Sequence, residues 1–125
     1  MDETTIQLTI PAAPEFLRLA RLTAADVGSR AGLTFEEIDD LRIAVDELCF
    51  AVVEGAGGAV LDLRFLLRDR EVVVEGHCAV GSDVPPVKPS DLATTIVAAV
   101  VDDFSVDSVD STRRFSLRKR VGPRS

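Results

Sequence analysis

Tryptophan and tyrosine are absent from this chain of 125 residues, and only 5% of it is aromatic. Proteins that grip single-stranded nucleic acid stack its bases on such rings, so that class is disfavoured. The charge balance points the same way: 21 acidic against 14 basic residues give a formal charge of -7, which repels phosphate backbones and anionic membrane surfaces. Histidine occurs once, at His77, and cysteine twice, at Cys49 and Cys78, without the spacing of a metal site. No apolar run approaches the roughly 18 residues of a membrane-spanning helix. The opening residues also lack the basic segment and apolar stretch of a signal peptide. The expectation is a cytoplasmic protein with both thiols reduced.

What is present is apolar. Hydrophobic residues make up 46% of the chain, enough for a buried core, and the length suits one domain over residues 1–125. Acids gather between Glu36 and Glu54, whereas Arg113, Arg114, Arg118, Lys119, Arg120 and Arg124 make the C-terminal end basic. That end is expected to be a solvated edge strand followed by a frayed tail.

Apolar periodicity divides the chain into eight elements. Ile6, Leu8 and Ile10 alternate with polar residues in a strand ended by Pro11. Pro14 opens a helix with Phe16, Leu17, Ala20, Ala24 and Val27 at helical spacing, closed by Gly32. Thr34 and Glu37 form a capping-box pattern ahead of Ile38, Leu41, Val45, Leu48 and Val52, one apolar stripe that stops before the loop Gly55 to Gly58. That glycine loop follows a helix and precedes a strand, the reverse of a phosphate cradle. Leu61 to Leu67 and Val72 to Val74 predict a hairpin turning at Arg68-Asp69-Arg70. Gly81 to Pro89 reads as a loop, Ser90 or Asp91 caps a third helix reaching Val101, and Phe104 to Val109 with Arg114 to Lys119 predict a last hairpin turning at Asp110-Ser111. The order is β-α-α-β-β-α-β-β, without repeats or linkers. Helices with one apolar stripe and hairpins with one apolar face bury most together as an α+β, two-layer sandwich: three helices on one mixed, mostly antiparallel sheet.

That order carries specific residues. Ile10-Pro11-Ala12-Ala13-Pro14-Glu15-Phe16, then Arg21-Leu22-Thr23, then Asp40-Leu41-Arg42-Ile43-Ala44-Val45-Asp46-Glu47, and later Val100 to Asp107, resemble the anti-sigma factor serine/threonine kinases of the GHKL superfamily. The likeness runs along nearly the whole chain and is strongest over its first half. It implies the Bergerat-type ATPase fold and, for an active member, ATP with Mg²⁺.

The resemblance also implies where ATP would be handled. A helix glutamate acting as general base matches Glu47, and four residues on, where the family has a magnesium-holding asparagine, this chain has Ala51. Positions four apart share a helical face, so the spacing suits two groups working on one phosphate. A methyl group, however, offers Mg²⁺ no oxygen. The aspartate that accepts a hydrogen bond from the adenine amino group, first in a D-x-G-x-G turn, falls on Gly76, and Cys78 and Val80 replace the two glycines. A water or the nearby Asp83 could in principle stand in. The glycine-rich lid opening the last helix corresponds to Asp91 through Ile96, including Thr94, where an acid at a helix N-terminus caps well and repels phosphate.

By contrast, the first-helix positions through which the family engages a sigma factor and its antagonist keep their residue types, as Glu15 and Arg21. The expectation is therefore a degenerate kinase: a regulator that binds a sigma factor, a STAS-type antagonist, or both, with no cofactor, Glu47 being a relic. An active kinase using ATP and Mg²⁺ is the alternative, and a homodimer through a sheet edge or the first helix is a third reading. His77 is expected on a strand surface rather than in catalysis. Cys49 is expected in the core, and Cys78 in a loop, open to redox chemistry.

Overall fold

The computed structural model describes residues 3–122, so Arg124 of the basic end lies outside the described residues. Alternation of Ile6, Leu8 and Ile10 with threonine and glutamine yields β1, Thr4–Pro11. A single 3₁₀ turn, Pro14–Phe16, leads into α1, Leu17–Ala31. Gly32 ends that helix at φ 91°, a left-handed conformation that costs a residue without Cβ little.

The capping box forms as the sequence indicates. Glu37 N–H donates to Thr34 Oγ1 at 3.2 Å, Thr34 N–H donates to Glu37 Oε1 at 2.8 Å, and α2 runs Phe35–Val53. The other oxygen, Glu37 Oε2, accepts the N–H of Gly122 at 2.6 Å, so the start of α2 also anchors the chain beyond the last strand. Thr34→Ala is expected to cost about 1 kcal/mol in urea denaturation, the usual effect of losing an N-cap hydroxyl; an unchanged midpoint would deny the cap a role.

The remaining elements are β2 (Val60–Arg68), β3 (Glu71–Ala79), α3 (Asp91–Val100), β4 (Asp103–Val109) and β5 (Thr112–Arg120). Arg70 sits at φ 61° in the first hairpin turn, and Asp110 and Ser111 at 49° and 65° in the second. Two successive positive φ values make the tight connection whose twist matches paired strands. The strands line up as β1-β2-β3-β5-β4, every neighbouring pair antiparallel. The three helices cover one face, and Leu41, Leu48, Phe65, Leu63 and Leu117 are buried between the layers. This is the two-layer α+β architecture expected from pattern.

Two local expectations are corrected. β5, which carries the basic run, is an interior strand; the edges are β1 and β4. Its outward arginines are paired rather than left as a solvated edge: Arg114 grips Asp107 with bonds of 2.9 and 2.8 Å, Arg118 reaches Asp103, and Arg120 lies 3.2 Å from Glu71. Second, β3 continues to Ala79 because β2 and β5 flank it on both sides, so Cys78 lies in a central strand, fully buried, and not in a loop.

Candidate functional site

Along β3 the side chains of Val72, Val74 and Cys78 face the helices, as would any side chain at Gly76, and Glu75 and His77 face the opposite side. His77 therefore lies across the sheet from α2, in a shallow outer groove with Arg64, Glu75 and Arg114. It cannot share a reacting group with Glu47. The expectation of a strand-surface histidine holds.

Neither thiol is available. Burial pushes the Cys49 thiol far above its ordinary range, with Asp46 adding to the effect. Burial also raises that of Cys78, against a smaller opposing pull from Arg113. Iodoacetamide at mildly alkaline pH is expected to label neither cysteine in the folded chain and both in urea. Native labelling of Cys78 would revive the redox reading.

On α2, Glu47 is half-buried, one turn before Ala51, on the flank it shares with Asp40. Asp40 meets Lys119 at 3.4 Å, and Lys119 also donates to the Val100 carbonyl at 2.8 Å, tying α2, α3 and β5 together. Ala51 borders an open cleft of about 440 Å³ at the end of α2. Glu54, Asp83, Lys88 and Arg113 contribute its polar wall, with Val84, Pro85 and Pro86 of the β3–α3 loop along one side.

Arg113 is the feature that sequence reading missed. Its place in the basic run suggests a solvated side chain, yet it is 5% exposed. Its guanidinium donates to the carbonyls of Val52 at 3.2 Å and Glu54 at 2.6 Å, and to Pro85 at 2.9 and 3.3 Å. The signal was present: in Arg113-Arg114-Phe115-Ser116-Leu117, residue 113 has the parity of Phe115 and Leu117 and must face the core with them.

Gly76 pairs with Phe115 across the β3–β5 ladder. A Cβ built on Gly76 would stand 2.2 Å from Phe115 Cε2 and 2.8 Å from Cδ2 and Cζ, so the ring occupies the space a side chain there would need. At α3, Ser90 is the N-cap, its hydroxyl accepting Ala93 N–H at 3.0 Å. Asp91 follows in the first turn, and both Asp91 and Thr94 are exposed. Neither borders the cleft at Ala51.

The partner-side positions lie elsewhere. Glu15 is exposed in the 3₁₀ turn, and Arg21 reaches across to Asp46 of α2 at 2.6 Å. Helical spacing places Arg18 and Leu22 between Glu15 and Arg21 on the outward side of α1. Leu22 is 54% exposed, and Ile43 of α2 lies beside Arg21 and Asp46 in a second hollow. The exposed apolar residues Leu22 and Ile43 were not singled out from sequence, because each also fits the flank of a buried stripe.

Five antiparallel strands under three helices, with a cleft beside the end of the second helix, define a histidine kinase-like ATPase fold. The chain belongs to the histidine kinase-like ATPase domain family, whose profile matches residues 10–119. Its relatives include the serine-protein kinase RsbW of Bacillus pumilus, 36% identical over 84% of this chain and 70% of that protein. The RsbW of Listeria monocytogenes is 50% identical over 84% of this chain and 79% of that one. That of Halalkalibacterium halodurans is 42% identical, the match spanning 56% of this chain but 46% of the relative. A crystal structure of the RsbU and RsbW domains of a Mycobacterium tuberculosis protein superposes with a TM-score of 0.69 at 15% identity. It covers 94% of this chain and 32% of that one, and it attests the fold. These likenesses place the chain with the RsbW-like, anti-sigma factor kinase group of the GHKL superfamily, as its motifs implied.

Proposed function

We propose that the chain is an anti-sigma-type regulatory domain that binds a sigma factor, its STAS-type antagonist, or both, with little or no use of ATP. The observation that carries this reading is Phe115 lying over Gly76. Size does not exclude a nucleotide, since about 440 Å³ is within the range of ligand sites. Chemistry does. We infer that the residues present do not fit Mg-ATP: Ala51 supplies no oxygen where the family holds magnesium, Gly76 supplies no acid for the base and has a phenyl ring above it, and the start of α3 is capped by Ser90 with Asp91 beside it. Glu47 then has no phosphate to work on.

The partner face supports the same reading. Glu15, Arg18, Arg21 and Leu22 put both signs of charge and an exposed apolar residue on the outward side of α1, the composition from which specific protein contacts are made. The test is capture of sigma factors and STAS-domain proteins by the immobilised chain with no nucleotide present. Nucleotide-independent capture is expected; failure to bind either class would remove the proposal.

An active serine/threonine kinase remains the second reading, favoured by the serine-protein kinase names of its relatives and by Glu47 standing where the family has its base. It requires phosphate transfer from ATP to a STAS-type antagonist that Glu47→Ala abolishes. Equal background for both chains is the outcome expected here.

A further inference from the structure

Two residues on the helix-facing side of β5 matter here: Phe115 fills the space at Gly76, and Arg113 fastens the cleft beside Ala51. Phe115 is 3% exposed and its ring takes the space above Gly76. Arg113, two positions earlier on the same face, donates to three backbone carbonyls. Two of these, Val52 and Glu54, close the last turn of α2, where the helix leaves acceptors without intrahelical partners and the dipole is negative. The third, Pro85, lies in the loop between β3 and α3.

A buried guanidinium is costly unless its donors are directed and the local field opposes its charge. No described carboxylate pairs with Arg113, so the carbonyls and the helix end do that work alone. The dependence is mutual. The 81–89 loop contains three prolines, which donate no backbone hydrogen bonds. Within it Val84 N–H donates to Gly81 at 2.9 Å, and Val87 N–H donates to Ser108 Oγ at 2.9 Å. The tie from Pro85 to the end of α2 runs only through Arg113 among the described hydrogen bonds.

We propose that Arg113 is a permanent occupant of the cleft, its guanidinium holding the β3–α3 loop against α2 as a bound molecule otherwise would, while the Phe115 ring fills the separate space above Gly76. This rests on the reading that the cleft no longer takes Mg-ATP, and it adds that the closed state is intrinsic to the chain. The loop is thus ordered without a small molecule, and the partner face on α1 is presented by a domain already in one state.

Hydrogen exchange read by mass spectrometry tests it, on the unaltered chain, Arg113→Met and Arg113→Lys, each with and without Mg-ATP. Without nucleotide, Arg113→Met is expected to speed exchange roughly tenfold or more in residues 81–89 and 52–56, the factor that about 1.4 kcal/mol of lost local stability produces. Exchange in β1 and α1 should stay as it was. Arg113→Lys keeps the charge but loses the forked donors, so it should accelerate the same segments to a smaller extent. Unchanged exchange at 81–89 in both variants, or equal acceleration throughout the chain, overturns the fastening role. The nucleotide arm reads the functional proposal separately: protection of the unaltered chain by Mg-ATP would contradict that reading whatever the Arg113 variants do. Protection confined to the Arg113→Met chain would support a cleft vacated by the substitution.

Discussion

Gly76→Asp should unfold much of the population rather than return an adenine-binding acid to the cleft. An added Cβ would lie 2.2 Å from Phe115 Cε2, a distance that no settled contact shows. The ring cannot withdraw easily, being buried at 3% exposure in a central pair of strands. Overpacking of this kind costs about 1–3 kcal/mol. The carboxylate adds the penalty of a buried charge, several kcal/mol when unpaired. Arg113, diagonal to it across the ladder, is committed to Val52, Glu54 and Pro85. The total, about 4 kcal/mol or more, approaches the whole stability of an ordinary domain. Urea denaturation measures it. Gly76→Ala alone should cost about 1–3 kcal/mol, and combining it with Phe115→Ala should cost less than the two single losses summed, because the methyl enters space the ring has left. Additivity would mean that ring and glycine are not competing for one volume.

Arg21→Ala should do the opposite: weaken partner capture at least ~30-fold, about 2 kcal/mol, while changing stability by less than about 1 kcal/mol. Arg21 makes an ion pair with Asp46 at 2.6 Å, but both side chains remain substantially exposed, at 35% and 44%. Such a pair contributes little to folding. It does hold the guanidinium in one orientation on the outward face, so a partner carboxylate meets it with little further ordering. Glu15→Ala, at an exposed position in the turn before α1, should weaken capture without moving the unfolding midpoint. Full binding by both variants would move the partner surface off α1.

Local chemistry made much of the fold legible. Thr34 with Glu37 marks the start of α2 in the sequence and forms the capping box in the structure, and the alternation of Ile6, Leu8 and Ile10 gives β1. These signals act within a few residues. The order of strands does not, since it follows from pairings between distant segments, and so the basic run reads as an edge strand although β3 and β4 enclose β5. The same long-range pairing carries β3 on to Ala79 and buries Cys78.

At the candidate site, residue identity could be read but spatial company could not. Ala51 and Gly76 are unsuited to magnesium and adenine by their side chains alone. That Phe115 covers Gly76 depends on the β3–β5 register, which places residues 76 and 115 opposite each other. Of the four positions expected to share a degenerate pocket, Ala51 borders the cleft and Gly76, Asp91 and Thr94 do not; Pro85, Pro86 and Lys88 of the loop before α3 line it instead. Arg113 is hidden by its company: five basic residues follow it on the way to the C-terminus, and parity is what sets Arg113 and Lys119 on the helix-facing side apart from Arg114, Arg118 and Arg120 on the other.

Titration calorimetry of the folded chain with Mg-ATP tests the central claim most directly. With no oxygen at residue 51, a phenyl ring over Gly76 and Arg113 spanning the cleft, no saturable heat is expected up to millimolar nucleotide, with or without magnesium. Saturable, magnesium-dependent binding would contradict the account and return the chain to the working kinases.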